Sequence, residues 1–235
     1  MSEPLLTFTD RGIACPAGGF FIDPWRPVDR ALVTHGHSDH ARSGHGAYLA
    51  TEAAAPVIAH RLGEVRLQTI RYGERRQIGD VTVSFHPAGH VPGSAQIRVE
   101  RRGEVWVVSG DYKTARDGFC EPFEPVRCHA FVTECTFGLP VFKWRPQDEI
   151  VADLNDWWRA NAAAGRFSVV GAYAFGKAQR VLTAVDASIG PILTHGAVES
   201  TNAILRDQGL SLADTIHVTP DLDVKAHGGA LVVAP

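Results

Sequence analysis

The chain has 235 residues, 45% apolar and 21% charged, with 23 basic against 26 acidic side chains for a formal net charge of −3. That balance is ordinary for a globular protein with a sizeable core, either one large domain or two small ones, and it carries no global basic signature for nucleic acid, so a polyanion would have to be met by a local patch. No apolar run approaches the ~20 residues of a membrane span, and Met1-Ser2-Glu3-Pro4 has neither a basic n-region nor an apolar h-region, so a cytoplasmic protein without membrane contact is expected. Cys15, Cys120, Cys128 and Cys135 show no C-x-x-C spacing and are expected to be reduced, buried thiols without chemistry.

Short apolar runs broken by Gly, Pro and Asp read as strands at 5–8, 20–22, 31–33 and 48–50. The third runs into Thr34-His35-Gly36-His37-Ser38-Asp39-His40, which packs four metal-capable side chains into six residues. Imidazole and carboxylate are what a catalytic cation prefers, and a loop after a strand lets alternate residues face one spot. His35 and His37 are spaced to share one ion, while Asp39 and His40 turn past it to where a second cation would lie, a pattern that suits a two-metal hydrolase. Asp23, which ends the 20–22 run before Pro24, is either an outer hydrogen-bond acceptor for a ligand histidine or a turn residue. Thr51 is expected to cap a helix reaching Leu62, with Pro56 past the first turn weighing against it, and His45 and His60 read as surface or packing histidines.

Residues 77–86 and 95–108 alternate with period two, and Gly79-Asp80 and Arg101-Arg102-Gly103 make them successive hairpins. They deliver His90, within Pro87 to Ser94, and Asp111, after Ser109-Gly110, so that both follow strands as His35 does and three strand ends converge on one sheet edge. His86 is four extended residues from His90, over ~12 Å, and is excluded as a ligand. Another strand, from Phe131, ends in Glu134 and a turn. After the Pro- and aromatic-rich stretch 139–146 the composition shifts to alternating elements: helix 147–164 closed by Gly165, strand 167–172, helix 177–187, strand 192–193, helix 200–208 and strands 215–218 and 230–233. Such alternation implies a small parallel α/β sheet.

With His35, His37, Asp39 and His40 followed by His90 and Asp111, the first part of the chain resembles the metallo-β-lactamase superfamily, whose mark is H-x-H-x-D-H, a later His and a later Asp. Thr133-Glu134-Cys135-Thr136-Phe137-Gly138 looks like the acidic motif opening the β-CASP nucleases, and Ala174-Phe175-Gly176-Lys177-Ala178-Gln179-Arg180 looks like their F-x-x-G-[RK]-[AT]-Q helix start. Thr194-His195-Gly196-Ala197-Val198-Glu199 and the length of the second unit are most similar to the bacterial ligase-associated DNA exonucleases. The resemblance implies an α/β protein: an αββα sandwich over residues 1–140 with the metals at one edge of its sheets, then a β-CASP-like α/β cap over 141–235. It also implies a metal-dependent hydrolase, an exodeoxyribonuclease that processes DNA ends in repair beside an ATP-dependent DNA ligase and a helicase. The alternatives are an RNA-processing nuclease of β-CASP type and a metal-bearing nucleic-acid-binding subunit without catalysis.

Carried over by resemblance, His35, His37 and His90 would bind one cation, Asp39 and His40 a second, and Asp111 both, the two divalent ions being zinc or manganese before iron or nickel. Asp39 would also orient the attacking water, and Glu134 would either fix His40 or serve the leaving group, against the plain alternative of a strand-end glutamate. For the substrate strand, Gly176, Lys177 and Gln179 open a helix whose N-terminus suits a phosphate, with Lys113 and Ser94 as weaker candidates and a solvated surface lysine as the plain reading of Lys177. The family pattern closes with an Asp-His pair and a late His-Gly beyond the cap, which Val232-Val233-Ala234-Pro235 does not supply, and His227 precedes the final strand. The C-terminal return of the lactamase domain is therefore expected to be missing, leaving the second cation short of ligands and a sheet edge unpaired.

Overall fold

The structure, a computed structural model, describes residues 4–235; Met1 to Glu3, part of the N-terminal reading above, lie outside the described residues. Two compact units meet in sequence at Thr136 and Phe137.

The first unit holds two sheets. In the first sheet, β1 (Thr7–Phe8), β2 (Ile13–Cys15), β3 (Phe20–Ile22), β4 (Ala31–Leu32), β5 (Tyr48–Thr51) and β6 (Leu67–Ile70) lie in sequence order, antiparallel from β1 to β3 and parallel from β3 to β6. The second has the order β11-β10-β9-β8-β7, built from β7 (Arg76–Ile78), β8 (Val81–Pro87), β9 (Ala95–Arg101), β10 (Glu104–Val108) and β11 (Ala130–Val132). Its hairpins are antiparallel, while β11 runs parallel to β10. The period-two reading is realised in the register: Val83 faces Val99 and Phe85 faces Ile97, all four fully buried. These side chains meet Phe20, Ile22, Leu32 and Leu49 of the first sheet in one core. Each such side chain contributes roughly 1.5–3 kcal/mol on burial, which is what clamps sheet on sheet. The other face of the first sheet packs Ala31, Tyr48 and Ala50 under Ile58 of α1 (Ala55–Leu62).

Three local expectations need correcting. Thr51 belongs to β5, and α1 starts from Ala54 with Pro56 inside the first turn, where a missing N–H costs nothing. The Thr51 hydroxyl accepts from the Ala54 N–H and donates to the Gly93 carbonyl, tying helix start to hairpin loop. No disulfide is present among the described residues, but of the four cysteines Cys15 alone is buried and Cys135 is exposed, against four buried thiols.

The second unit alternates α2 (Gln147–Ala163), β12 (Ser168–Gly171), α3 (Lys177–Ala184), β13 (Ile192–Thr194), α4 (Gly196–Asp207), β14 (Ile216–His217) and β15 (Leu231–Ala234). Its sheet is parallel throughout, in the order β12-β15-β13-β14. Trp158 of α2 is fully buried against it, with Nε1 donating to the Gly229 carbonyl at 2.9 Å. α4 begins four residues before the expected start at residue 200, because the His195 ring nitrogen Nδ1 caps it by accepting from the Ala197 N–H. Among the described residues no helix is long and apolar enough to cross a membrane.

Candidate metal centre

Two pairs of parallel neighbours deliver the site. β3 and β4 run side by side, so Asp23 after one strand lies beside Thr34 to His40 after the other. β10 and β11 do the same for Asp111 and Glu134, while the loop between β8 and β9 supplies His90. The two sheets touch at Thr34, whose carbonyl accepts from the Ala95 N–H at 2.8 Å. Gly110, at φ +53°, presses on the same residue, and a Cβ there would stand 2.5 Å from Thr34 Oγ1. That approach brings Asp111 to the histidine loop.

In a first group, His35, His37, His90 and Asp111 converge. His37 Nδ1 lies 2.9 Å from His35 Nε2 and 3.3 Å from His90 Nε2. Asp111 Oδ2 stands 3.4 Å from His90 Nε2 and 3.9 Å from His35 Nε2. Thr34 Oγ1 donates to Asp23 Oδ2 at 2.6 Å and is left to accept from His35 Nδ1 at 3.1 Å, which keeps the proton on Nδ1 and the Nε2 lone pair facing the group. Burial, then the neighbouring imidazoles, holds His35 well below its ordinary pKa, and burial brings His90 down to about 4 against the pull of Asp111. Both are therefore neutral, the form that ligates.

His40, Asp111 and Glu134 make a second group. His40 Nε2 lies 3.4 Å from Asp111 Oδ1, 3.7 Å from Glu134 Oε2 and 3.7 Å from Asp39 Oδ2. Burial pushes His40 down, but the hydrogen bonds and charges of Asp111 and Asp23 outweigh it and raise its pKa to about 11. Asp111, which burial would raise, is held at about 2 by His40 and His90, whereas burial and Asp111 together push Glu134 up.

Both groups fit a divalent cation. Tetrahedral zinc with nitrogen ligands at ~2.05 Å spaces those nitrogens by ~3.3 Å, the spacing of the imidazoles here to within a few tenths of an ångström. Asp111 Oδ1 is buried and has no hydrogen-bond partner in the protein, an orphan that a cation beside His40 Nε2 would satisfy.

No family model matches the chain. It is 27% identical over 228 residues to a protein named "Probable DNA ligase" from Opitutus terrae, a match covering 95% of this chain and 22% of the ligase. It is also 27% identical over 191 residues to "Ribonuclease TTHA0252" from Thermus thermophilus, covering 69% of this chain and 44% of the ribonuclease. A crystal structure of a protein of unknown function from Enterococcus faecalis superposes with a TM-score of 0.60 at 11% identity, covering 87% of this chain and 58% of the other. The chain thus spans about a fifth of the ligase's length and under half of the ribonuclease's. The fold class is the metallo-β-lactamase α/β sandwich with a β-CASP-like α/β unit after it.

Within that fold the expected site residues separate clearly. His35, His37, His40, His90 and Asp111 come together as described, and Glu134 joins His40 and Asp111 where Asp39, 65% exposed, stays at the rim. Asp23 meets a ligand histidine directly, its Oδ2 lying 2.8 Å from His40 Nδ1. His86 is held by Ser84 and Glu124 and stands apart. Ser94 is buried, and its hydroxyl accepts from the His90 and Val91 N–H groups, so it shapes the His90 turn and offers no surface to a substrate. Lys113 is paired with Asp117 at 2.6 Å. The Gly176 N–H donates to Gln179 Oε1, and the buried Gln179 amide spends its Nε2 on Ala174 and Asn202, which leaves Lys177, lying 4.6 Å over the Tyr173 ring, as the exposed group of that trio. Sequence reasoning missed Arg61, whose Nη1 donates to the Gly36 carbonyl at 2.7 Å and braces the loop between His35 and His37. No local pattern signals a contact across that many residues.

Proposed function

We propose that the chain is the N-terminal part of a metal-dependent phosphodiesterase that removes nucleotides from DNA ends, in repair alongside an ATP-dependent DNA ligase. The observation that carries this reading is the division of one carboxylate: Asp111 turns Oδ2 to the first group and Oδ1 to the second. A two-cation phosphodiesterase requires such a bridging residue. In this reading His35, His37, His90 and Asp111 hold one divalent ion, zinc or manganese, and His40 with Asp111 holds the other, Glu134 and Asp39 standing beside it. Cations bound there would polarise the scissile phosphate and lower the pKa of water. Asp39, exposed at the rim, orients the attacking water in line with the leaving oxygen, and Glu134 steadies His40 from the opposite sheet. Asp23 fixes the other side of the His40 ring, and Lys177 is offered to a substrate phosphate.

Similarity over nearly the whole chain to a protein named as a DNA ligase supports the DNA substrate and the repair setting. Similarity to a protein named as a ribonuclease favours a second reading, RNA cleavage with the same residues. End-labelled single- and double-stranded DNA and RNA, incubated with the protein and zinc or manganese, separate the two. Shortening of labelled DNA from an end is the expected outcome; cleavage of RNA alone selects the second reading, and no cleavage of either by metal-loaded protein removes both.

A further inference from the structure

Beside the metal loop lies a second concavity that the proposed chemistry does not use. It is a pocket of about 440 Å³, within the ~300–1,000 Å³ of small-ligand sites. Arg26, Arg42 and Arg61 line it together with Trp25, Ser38 and His45, and no acidic side chain does. In a chain of net charge −3, three guanidinium groups around one hollow form the local basic patch that the composition withheld.

Each arginine is anchored through one nitrogen. Arg42 Nε donates to the Asp39 carbonyl, Arg61 Nη1 to the Gly36 and Ala41 carbonyls, and Arg26 Nη1 pairs with Asp10 in an exposed ion pair of the kind worth little. Their forks are thus positioned with donors to spare for the oxygens of a phosphate. Trp25 is 43% exposed and steadied by an Nε1 hydrogen bond to the Asp10 carbonyl, so its ring offers a fixed face. His45 is buried at the edge of the hollow; its Nδ1 accepts from the Val28 N–H, which places the ring proton on Nε2, and Nε2 has no partner.

We propose that this pocket holds a phosphate of the nucleic-acid strand, with the adjoining base stacked on Trp25. It rests on the nucleic-acid reading above. Phosphate needs planar cationic donors, and a base needs an aromatic face; the pocket offers both, whereas an acidic peptide has no use for Trp25. Ser38 lines the pocket and stands between His37 and Asp39, so a strand anchored here runs onto the metal loop.

The test is fluorescence-anisotropy titration of a labelled short oligothymidylate in chelator, so that nothing is cut. The double variant Arg26→Ala/Arg42→Ala should bind about tenfold or more weakly, as expected for losing charge-assisted hydrogen bonds. Its log–log salt slope should fall by ~1.4, at ~0.7 for each single-strand phosphate contact. Arg42→Lys in place of Arg42→Ala should restore most of that slope. Trp25→Ala should weaken binding with the slope unchanged, because stacking releases no counterions. A folded double variant with wild-type affinity and slope overturns the proposal, and so does displacement of the strand by polyglutamate as readily as by unlabelled strand. Because binding is read without catalysis, a protein that binds in this way but cuts nothing would fail the proposed function while the pocket stands.

Discussion

Asp23 Oδ2 lies 2.8 Å from Nδ1 of His40, and the same carboxylate receives the N–H and hydroxyl of Thr34 at 2.8 and 2.6 Å. Asp23 adopts φ +41°, a left-handed conformation that aspartate tolerates better than most residues. One side chain therefore sets both the turn after β3 and the direction of the His40 ring.

Asp23→Ala should lower the affinity for the cation at His40 by ~10–100-fold, the usual effect of losing an outer hydrogen bond to a ligand imidazole. Titration against a chromophoric chelator reads this directly. Affinity equal to wild type would leave Asp23 as a turn residue alone.

Asp111→Ala should abolish nuclease activity and metal retention together while circular dichroism stays native, since Asp111 sits at a strand end outside the sheet core. His60→Ala and His86→Ala should behave as wild type. A folded Asp111→Ala protein with full activity would sink the bridging role.

Gly110→Ala should destabilise the protein by ~1–3 kcal/mol, because the new methyl group meets Thr34 where the sheets touch and the residue must hold positive φ. Metal affinity should fall with it. Chemical denaturation gives the check, and an unchanged midpoint would show that the contact yields freely.

The second unit has its own acid sensitivity. Glu199 is paired with Arg206 at 2.8 Å and accepts from Thr194, Thr215 and Asn202. Burial alone would raise its carboxyl, but these donors hold it below the ordinary 4.5. A depressed folded pKa means that the ion contributes stability above the unfolded value and loses it as pH falls through the folded one. Wild type should therefore lose stability below about pH 4.5 more steeply than Glu199→Gln, and Glu199→Ala should cost ~2–4 kcal/mol at neutral pH by stranding its donors. Parallel pH slopes for wild type and Glu199→Gln would contradict this.

The histidine loop was legible because its side chains fall within six residues, and the hairpins because period two survives intact from Val81 to Val108. β6 escaped notice because Gln68 and Thr69 face solvent and only Ile70 is buried, so no alternation is visible. The nearness of Glu134 to His40 depends on β11 joining β10 in parallel, and that of Asp23 on the pairing of β3 with β4; neither pairing is written in local sequence. Gln179 misled for the opposite reason. Its place in a motif suggested a ligand contact, while burial had already committed its amide to the turn.

The candidate centre draws on strand ends far apart in the chain, with His37 and His90 separated by 53 positions and Glu134 arriving from the last strand of the second sheet. Contacts of such separation form only after the intervening loops have closed, which is the slow part of assembling a sheet-rich fold. Neither sheet by itself holds the complete set. During refolding, the moment at which the chain first grips a cation should therefore mark the docking of the two sheets, and a metal-sensitive dye would time that event.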